Sequence, residues 1–203
     1  MSLSAEAVVR DALRAYLLSR ERGDQALEEL WVPRSNERAD LAVLGRTMDG
    51  FEIKTERDTL RRLPRQVLAY GRLFDRCTVV VANKHREKVT ALVPDWWGIT
   101  TVSVNGHVSF ATVRKPRPNR SLDPETLVRL LWRDEAMAAL CSLGVTPDAK
   151  AHRSSLWKEL MRTASLAQLR HIVRDALVTR DPAKARIPTR RFTTQALGAV
   201  AGR

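Results

Sequence analysis

The hydrophobic and polar positions of this chain follow two periods, one helical and one extended. Apolar residues at helical spacing predict helices over residues 5–20, 58–73, 84–91, 124–144 and 154–178. Alternating or continuous apolar runs predict strands over residues 39–45, 50–55, 77–83, 93–104 and 107–113. Residues 27–33 fit a helix end and a strand equally well. The second helix contains Pro64, so it begins either irregularly, capped by Asp58 or Thr59, or near Leu63.

The order of these elements predicts an α/β protein with an antiparallel start and a crossover connection after the strand at 50–55. The 203 residues, 44% of them hydrophobic, are enough for one domain with a real core. No apolar stretch is long enough to span a membrane, and the amphipathic N-terminus lacks the features of a signal peptide. These features predict a cytoplasmic protein without a membrane partner. Cys77 and Cys141 are predicted to be small core residues.

The charge of the chain is strongly positive and unevenly placed. The formal net charge is +12, and residues 151–203 hold eleven Lys or Arg against three acids, Glu159, Asp175 and Asp181. Such a balance favours a polyanionic partner, of which nucleic acid is the commonest. The alternative is charge that serves solubility alone.

Three charged residues share the two predicted strands of the first hairpin. Asp40 begins one strand, and Glu52 and Lys54 lie two apart on the next, so they project from one face. We expect Phe51 and Ile53 to face inward from the opposite face. If the strands pair, Asp40 lies beside Glu52 and Lys54 at one end of the sheet. The alternative is an exposed strand face whose charges form a salt bridge.

Two neighbouring carboxylates repel each other unless a cation lies between them, and Mg²⁺ or Mn²⁺ is the ion that such oxygen ligands prefer. The predicted ligands are Asp40, Glu52 and the backbone carbonyl of Ile53. The ion would polarise a phosphate and acidify a bound water, and Lys54 would hold that water or neutralise charge on the phosphate.

The pattern of Asp40, eleven residues and then Glu52-Ile53-Lys54 resembles the signature of the PD-(D/E)XK nuclease superfamily. The first element is Arg-Ala-Asp here, where the signature has Pro-Asp. The run over residues 38–75, together with LVPDWWGI and LLWRDEA further on, is similar to an uncharacterised group of phage and bacterial proteins assigned to that superfamily. The resemblance covers roughly residues 5–140.

The resemblance also implies auxiliary site residues. Gln66 and Tyr70 lie one helical turn apart and look like the Q-x-x-x-Y element of RecB-type nucleases. An equal alternative is that Tyr70 packs in the core and Gln66 is exposed to solvent. A further acid completes the metal shell in many members, and Glu6 or Glu29 is the candidate here. Arg38 shares the face of Asp40 and is a candidate for a phosphate clamp.

The resemblance implies a restriction-endonuclease-like mixed sheet flanked by helices over residues 1–115. A helical appendage would follow over 116–180 and a basic, flexible tail over 181–203. The expected activity is Mg²⁺-dependent hydrolysis of DNA, with the DNA backbone gathered by Arg170, Arg174, Arg190 and Arg191. The alternative is a nucleic-acid-binding or adaptor protein with little catalysis on the same scaffold. The oligomeric state is left open, a homodimer included.

Overall fold

The computed structural model of the chain describes residues 5–20, 23–180 and 191–193, the last as backbone only. In chain order the elements are α1 (Ala5–Leu18), β1 (Gln25–Trp31), β2 (Arg38–Leu44), β3 (Met48–Lys54), α2 (Leu63–Tyr70), β4 (Arg76–Ala82), α3 (Arg86–Leu92), β5 (Gly98–Asn105), β6 (His107–Arg114), α4 (Pro124–Val128), α5 (Arg133–Ser142), α6 (Arg153–Thr163), α7 (Leu166–Thr179) and β7 (Arg191–Thr193). Among the described helices, none combines the length and the apolar character that crossing a bilayer would need.

The seven strands form one mixed sheet in the order β6-β5-β4-β3-β2-β1-β7. The pairs β3–β4 and β4–β5 are parallel, and the other neighbours are antiparallel. The parallel pairs follow from the crossover segments that contain α2 and α3, because a parallel connection must return to the same end of the sheet. The predicted α/β class, with an antiparallel start and a crossover after the third strand, is confirmed.

Helices cover both faces of the sheet. On one face, α1 packs Val9 and Leu13 against the core that includes Phe51 and Ile53. On the other face, α2 and the four C-terminal helices share a single hydrophobic cluster with the strands. The segment that follows α2 comes so close to β3 that a Cβ on Gly50 would lie 2.5 Å from the ring of Phe74, which explains a glycine in the middle of a strand.

Burial of the third strand differs from its predicted alternation. Phe51 and Ile53 face α1 as expected, but Glu52 and Lys54 are also buried, because α2 covers the second face. The alternative interpretation of these residues was an exposed strand face whose charges form a salt bridge. The structure instead places these charges in the interior, where each needs a partner.

Several element boundaries differ from the predicted ones for local reasons. Residues 25–31 form a strand, which resolves the ambiguity at 27–33. The carboxylate of Asp58 accepts hydrogen bonds from the N–H and hydroxyl of Thr55, so it holds a loop, and α2 begins at Leu63 with Pro64 in its first turn. The predicted helix over 154–178 is two helices, because Ser165 caps α7 in a capping box with Gln168.

The predicted helix over 124–144 is likewise two helices, α4 and α5. The expectation for Cys141 was wrong: Cys77 is buried as predicted, but Cys141 is exposed on α5.

The four C-terminal helices pack on the sheet. Helices α4 to α7 contribute Leu127, Leu160 and Val173 to the same cluster as the strands. Within the region predicted as a tail, residues 191–193 form β7, which pairs with residues 25–27 of β1. Residues 181–190 and 194–203 lie outside the described residues.

Candidate functional site

The candidate site lies where β2 and β3 separate. Their ladder runs from the hairpin to the pair Leu41–Phe51 and stops there. At the next position, the carboxylate of Asp40 accepts the backbone N–H of Ile53 at 2.6 Å. The side chain of Asp40 therefore takes the place of a ladder hydrogen bond, and the gap between the strands opens a cleft between α1 and α2.

On the α2 side of the cleft, Glu52 is 1% exposed and both of its carboxylate oxygens have partners. The ammonium of Lys54 lies 2.5 Å from Oε1, and the hydroxyl of Tyr70 contacts Oε2. The same hydroxyl lies 2.7 Å from the carbonyl oxygen of Arg38. One hydroxyl proton serves one acceptor at a time, so Tyr70 donates either to Glu52 or to the carbonyl of Arg38 while it contacts both.

On the α1 side, the carboxylates of Glu6, Glu29 and Asp40 each present an oxygen within 4.8 Å of the others. Glu29 has a φ of 53°, a left-handed conformation that costs a non-glycine residue roughly 1–2 kcal/mol. This conformation interrupts the alternation of β1, so that Glu28 and Glu29 both approach Arg10, at 4.0 and 2.7 Å. The strained backbone thus turns an extra acid into the cleft, a pattern associated with functional sites.

The electrostatics of the cleft favour protons or a cation. Burial, and next the negative charge of Glu52, raise the pKa of Asp40 from 3.8 to about 8, against a smaller lowering by the N–H of Ile53. Burial also raises the pKa of Glu52, although Lys54 and Tyr70 counteract it. The pKa of Tyr70 is raised by burial and by the nearby carboxylates. A divalent cation would offset the repulsion between the carboxylates of Asp40 and Glu52.

One cavity of about 470 Å³ joins the two sides of the cleft. The catalytic, metal-ligand and auxiliary residues predicted from the sequence line this cavity, with the exception of Tyr70. Tyr70 contacts Glu52 from behind the cavity wall. The lining residues are Glu6, Glu29, Asn36, Arg38, Asp40, Glu52, Ile53, Lys54, Asp58, Arg62 and Gln66.

Sequence reasoning missed three of these, Asn36, Asp58 and Arg62. The signal for Asp58 and Arg62 was the charged run T-E-R-D-T-L-R-R that directly follows Glu52-Ile53-Lys54, because a loop leaving a site residue must border the site. The polar turn before β2 was the corresponding signal for Asn36.

Among the described residues, the three-carboxylate cluster of the cleft contains Asp40 but not Glu52, the other side chain predicted as a metal ligand. Asp40 is grouped with Glu6 and Glu29, the two auxiliary candidates, whereas Glu52 is engaged by Lys54 and Tyr70. Three carboxylate oxygens in one cluster form a donor set that suits Mg²⁺ or Mn²⁺. The oxygen Oε1 of Gln66, buried in the cavity wall, has no hydrogen-bond partner among the described residues.

Two of the basic residues predicted to gather nucleic acid, Arg170 and Arg174, lie away from the cleft. Arg170 binds Asp75 at 2.6 Å, and Arg174 donates to the carbonyl of Arg46 at 2.8 Å. Asp75 in turn accepts a hydrogen bond from the N–H of Met48, the first residue of β3. Lys54 is the last residue of β3, so at the rise of a strand it lies roughly 20 Å from Met48. Arg190 lies outside the described residues, and of Arg191 only its backbone position in β7 is described.

The fold and the cleft define a class: a mixed-sheet α/β protein with an acidic, cation-suited cleft at the split between two antiparallel strands. The chain belongs to the family of the bacteriophage P4 protein cII, whose model matches residues 2–197. It is 30% identical to Protein cII of Enterobacteria phage P4 over 148 residues, which is 72% of this chain and 56% of that protein. The chain thus spans little more than half the length of this relative.

Among solved structures, the SPO1766 protein of unknown function from Silicibacter pomeroyi is similar at a TM-score of 0.46 and 17% identity. The match covers 92% of this chain and 99% of that one.

Proposed function

We propose that this chain is a metal-dependent nuclease that hydrolyses DNA phosphodiester bonds, on a restriction-endonuclease-like core. The observation that carries the proposal is the convergence of Asp40, Glu52 and Lys54 on one cavity, together with a second set of acids, Glu6 and Glu29. Burial raises the pKa values of Asp40 and Glu52, and holding two such carboxyls in the interior is costly to the fold unless a cation offsets it.

In this proposal the cation is held by Asp40, Glu6 and Glu29. Once bound, Mg²⁺ or Mn²⁺ would polarise a phosphate oxygen and lower the pKa of a water molecule. Glu52 serves as a positioning residue: its Oε1 holds the ammonium of Lys54 at the cavity wall. This differs from the expectation that Glu52 is itself a ligand.

Lys54 is the residue that would meet the reacting phosphate. Its side chain is buried against Glu52 yet lines the cavity, so its ammonium can neutralise charge that develops on a phosphate oxygen. Tyr70 anchors the other oxygen of Glu52 and the carbonyl of Arg38, and so joins the helix α2 to both strands of the site.

The test is cleavage of plasmid and single-stranded DNA with Mn²⁺ or Mg²⁺, compared with EDTA. Asp40→Asn and Lys54→Ala should each abolish cleavage, and both should leave DNA binding largely intact. The matched control is Asp95→Asn, because the side chain of Asp95 is 97% exposed and lies outside the cavity. Equal cutting by wild type, Asp40→Asn and Lys54→Ala would show that the site is wrongly assigned.

One observation favours a second candidate, a nucleic-acid-binding or adaptor protein with little catalysis. Both oxygens of Glu52 have partners within the protein, and Arg10 already neutralises Glu29. A cleft that satisfies its own charges needs no cation. This candidate would be supported if the wild-type protein binds DNA but cleaves it with neither Mg²⁺ nor Mn²⁺.

A further inference from the structure

A large aromatic side chain lies exposed beside the cleft. Trp31, the last residue of β1, is 40% exposed, and its indole N–H donates to the carbonyl of Ser35 at 3.2 Å. This hydrogen bond fixes one edge of the ring and leaves the rest in solvent. Trp97 and Trp157 are buried and serve packing, so they do not share this arrangement.

The strand register places Trp31 next to the acids of the cleft. Trp31 pairs across the strands with Arg38, and directly opposed residues share a face. The neighbouring pair, Leu30 and Ala39, belongs to the core on the α2 side, so Trp31 and Arg38 point to the α1 side.

Glu29 lies two residues before Trp31 on β1, and Asp40 lies two residues after Arg38 on β2. A step of two residues is about 7 Å on a strand. Arg38 lines the cavity that holds these acids, and Trp31 is its cross-strand neighbour.

The charge of Arg38 is available to a ligand. Its side chain is exposed, and no described residue forms a salt bridge with its guanidinium. Arg34, in the preceding turn, makes the contrast: it lies 3.0 Å from both Asp123 and Glu125 and so holds α4 to the sheet. An exposed indole next to a guanidinium that has no ion-pair partner among the described residues suits a ligand in which an apolar ring is joined to an anion.

We infer that Trp31 and Arg38 form a binding platform for an unpaired nucleobase and its phosphate, which makes single-stranded DNA the substrate class of the cleft. This inference rests on the proposed function. A base can stack on the indole only when its face is free, as in a single strand or a frayed end, whereas a duplex hides the faces of its bases. Arg38 would bind the adjoining phosphate and direct the backbone towards Asp40.

The experiment measures binding without cleavage, in EDTA, to an oligothymidylate and to a hairpin duplex of similar charge. Trp31→Ala should weaken binding of the single strand by about tenfold or more and leave duplex binding unchanged, because stacking contributes per base. Trp31→Phe keeps a ring and should retain most of the affinity. The stacked base can be identified by replacing one base at a time with an abasic site. At the stacked position, wild type and Trp31→Ala should bind the single strand equally well.

The matched control is Tyr16→Ala. Tyr16 is 39% exposed, nearly the same as Trp31, but it lies ten residues along α1 from Glu6, about 15 Å from the cleft. This variant should bind both ligands as the wild type does.

Three results would overturn the platform: unchanged single-strand affinity in Trp31→Ala, an equal loss on the duplex, or no single-strand binding by the wild type. A change of oligomeric state in Trp31→Ala without a change in DNA affinity would show that a second copy of the chain covers Trp31 instead. Cleavage by the wild type with Mn²⁺ is measured separately. Trp31-dependent binding without cleavage refutes the nuclease alone, and cleavage with Trp31-independent binding refutes the platform alone.

Discussion

The ammonium of Lys54 lies 2.5 Å from Oε1 of Glu52, and this ion pair is buried between β3 and α2. The two residues are two positions apart on one strand, so the strand itself sets their common face. Removing two charges from water costs several kcal/mol for each, and their attraction offsets this only while both are present. The pair is therefore a sensitive point for the fold as well as for the proposed chemistry.

Breaking the pair from either side should destabilise the protein. Lys54→Met and Glu52→Gln each leave one buried charge unpaired, and we expect each to lower the free energy of unfolding by roughly 3–5 kcal/mol. The double variant should lose much less than the sum of the two, because it leaves no unpaired charge. Urea denaturation of the four proteins measures this coupling.

The chain provides a matched surface pair as control. Glu159 and Arg162 also approach to 2.5 Å, but their side chains are 35% and 73% exposed. Glu159→Gln should leave the free energy of unfolding nearly unchanged, because exposed pairs contribute little. Additive losses for Glu52 and Lys54 would mean that the two charges do not depend on each other.

Asp40 should make the metal-free protein less stable at high pH. In the unfolded chain its carboxyl ionises near pH 3.8, whereas in the folded protein the pKa of Asp40 is about 8. Between these values the folded state binds more protons than the unfolded state, so stability falls as pH rises through that window. Asp40→Asn removes this loss, and its amide oxygen can still accept the N–H of Ile53.

Thermal unfolding in EDTA across this pH range tests the expectation. The melting temperature of Asp40→Asn should match the wild type near pH 4 and exceed it by several degrees at pH 8. Asp95→Asn, at an exposed carboxylate, should show a difference that does not change with pH. A wild-type advantage at pH 8 would contradict a raised pKa for Asp40.

A cation that binds the cluster of Glu6, Glu29 and Asp40 should stabilise the folded chain. At a hundred times its dissociation constant, a ligand adds about 2.7 kcal/mol to the free energy of unfolding, and Mn²⁺ should raise the melting temperature accordingly. Glu29→Gln should reduce this increase, and Asp40→Asn should reduce it further. The increase should survive in Asp134→Asn, since Asp134 is 93% exposed on another element. An equal increase in all of these proteins would place the ion elsewhere.

The sequence was sufficient for β2 and β3, because each has a local signal. The spacing of Glu52 and Lys54 determined their common face, and the apolar run at 77–83 predicted the strand that lies parallel to β3. The resemblance named Glu29 only as a candidate, because its grouping with Asp40 depends on a left-handed residue in β1 and on the point at which β2 and β3 separate. A left-handed backbone at a residue other than glycine has no sequence signature, and neither does the point at which two paired strands separate.

The role of the C-terminal arginines was also beyond the sequence. A basic amphipathic helix looks the same whether its cations meet a nucleic acid or a buried carboxylate of the same chain. Only the packing of α7 against the sheet brings Arg170 to Asp75, 95 positions earlier in the chain. Near the cleft, by contrast, Arg57 and Arg61 are exposed in the loop between β3 and α2 and form no salt bridge with a described residue.

These two groups of arginines should respond differently to substitution. Arg170→Ala leaves the nearly buried Asp75 without its cation and should lower the free energy of unfolding by about 1–3 kcal/mol, with DNA affinity unchanged. Arg57→Ala and Arg61→Ala should leave stability unchanged and weaken DNA binding. Each should reduce the slope of log affinity against log salt by about 1, because each removes one phosphate contact. Lys158→Ala, at an exposed cation of α6, is the control for net charge alone. If the slope changes in Arg170→Ala or Lys158→Ala and not in the loop variants, the nucleic acid lies along the C-terminal helices and the cleft is not where it binds.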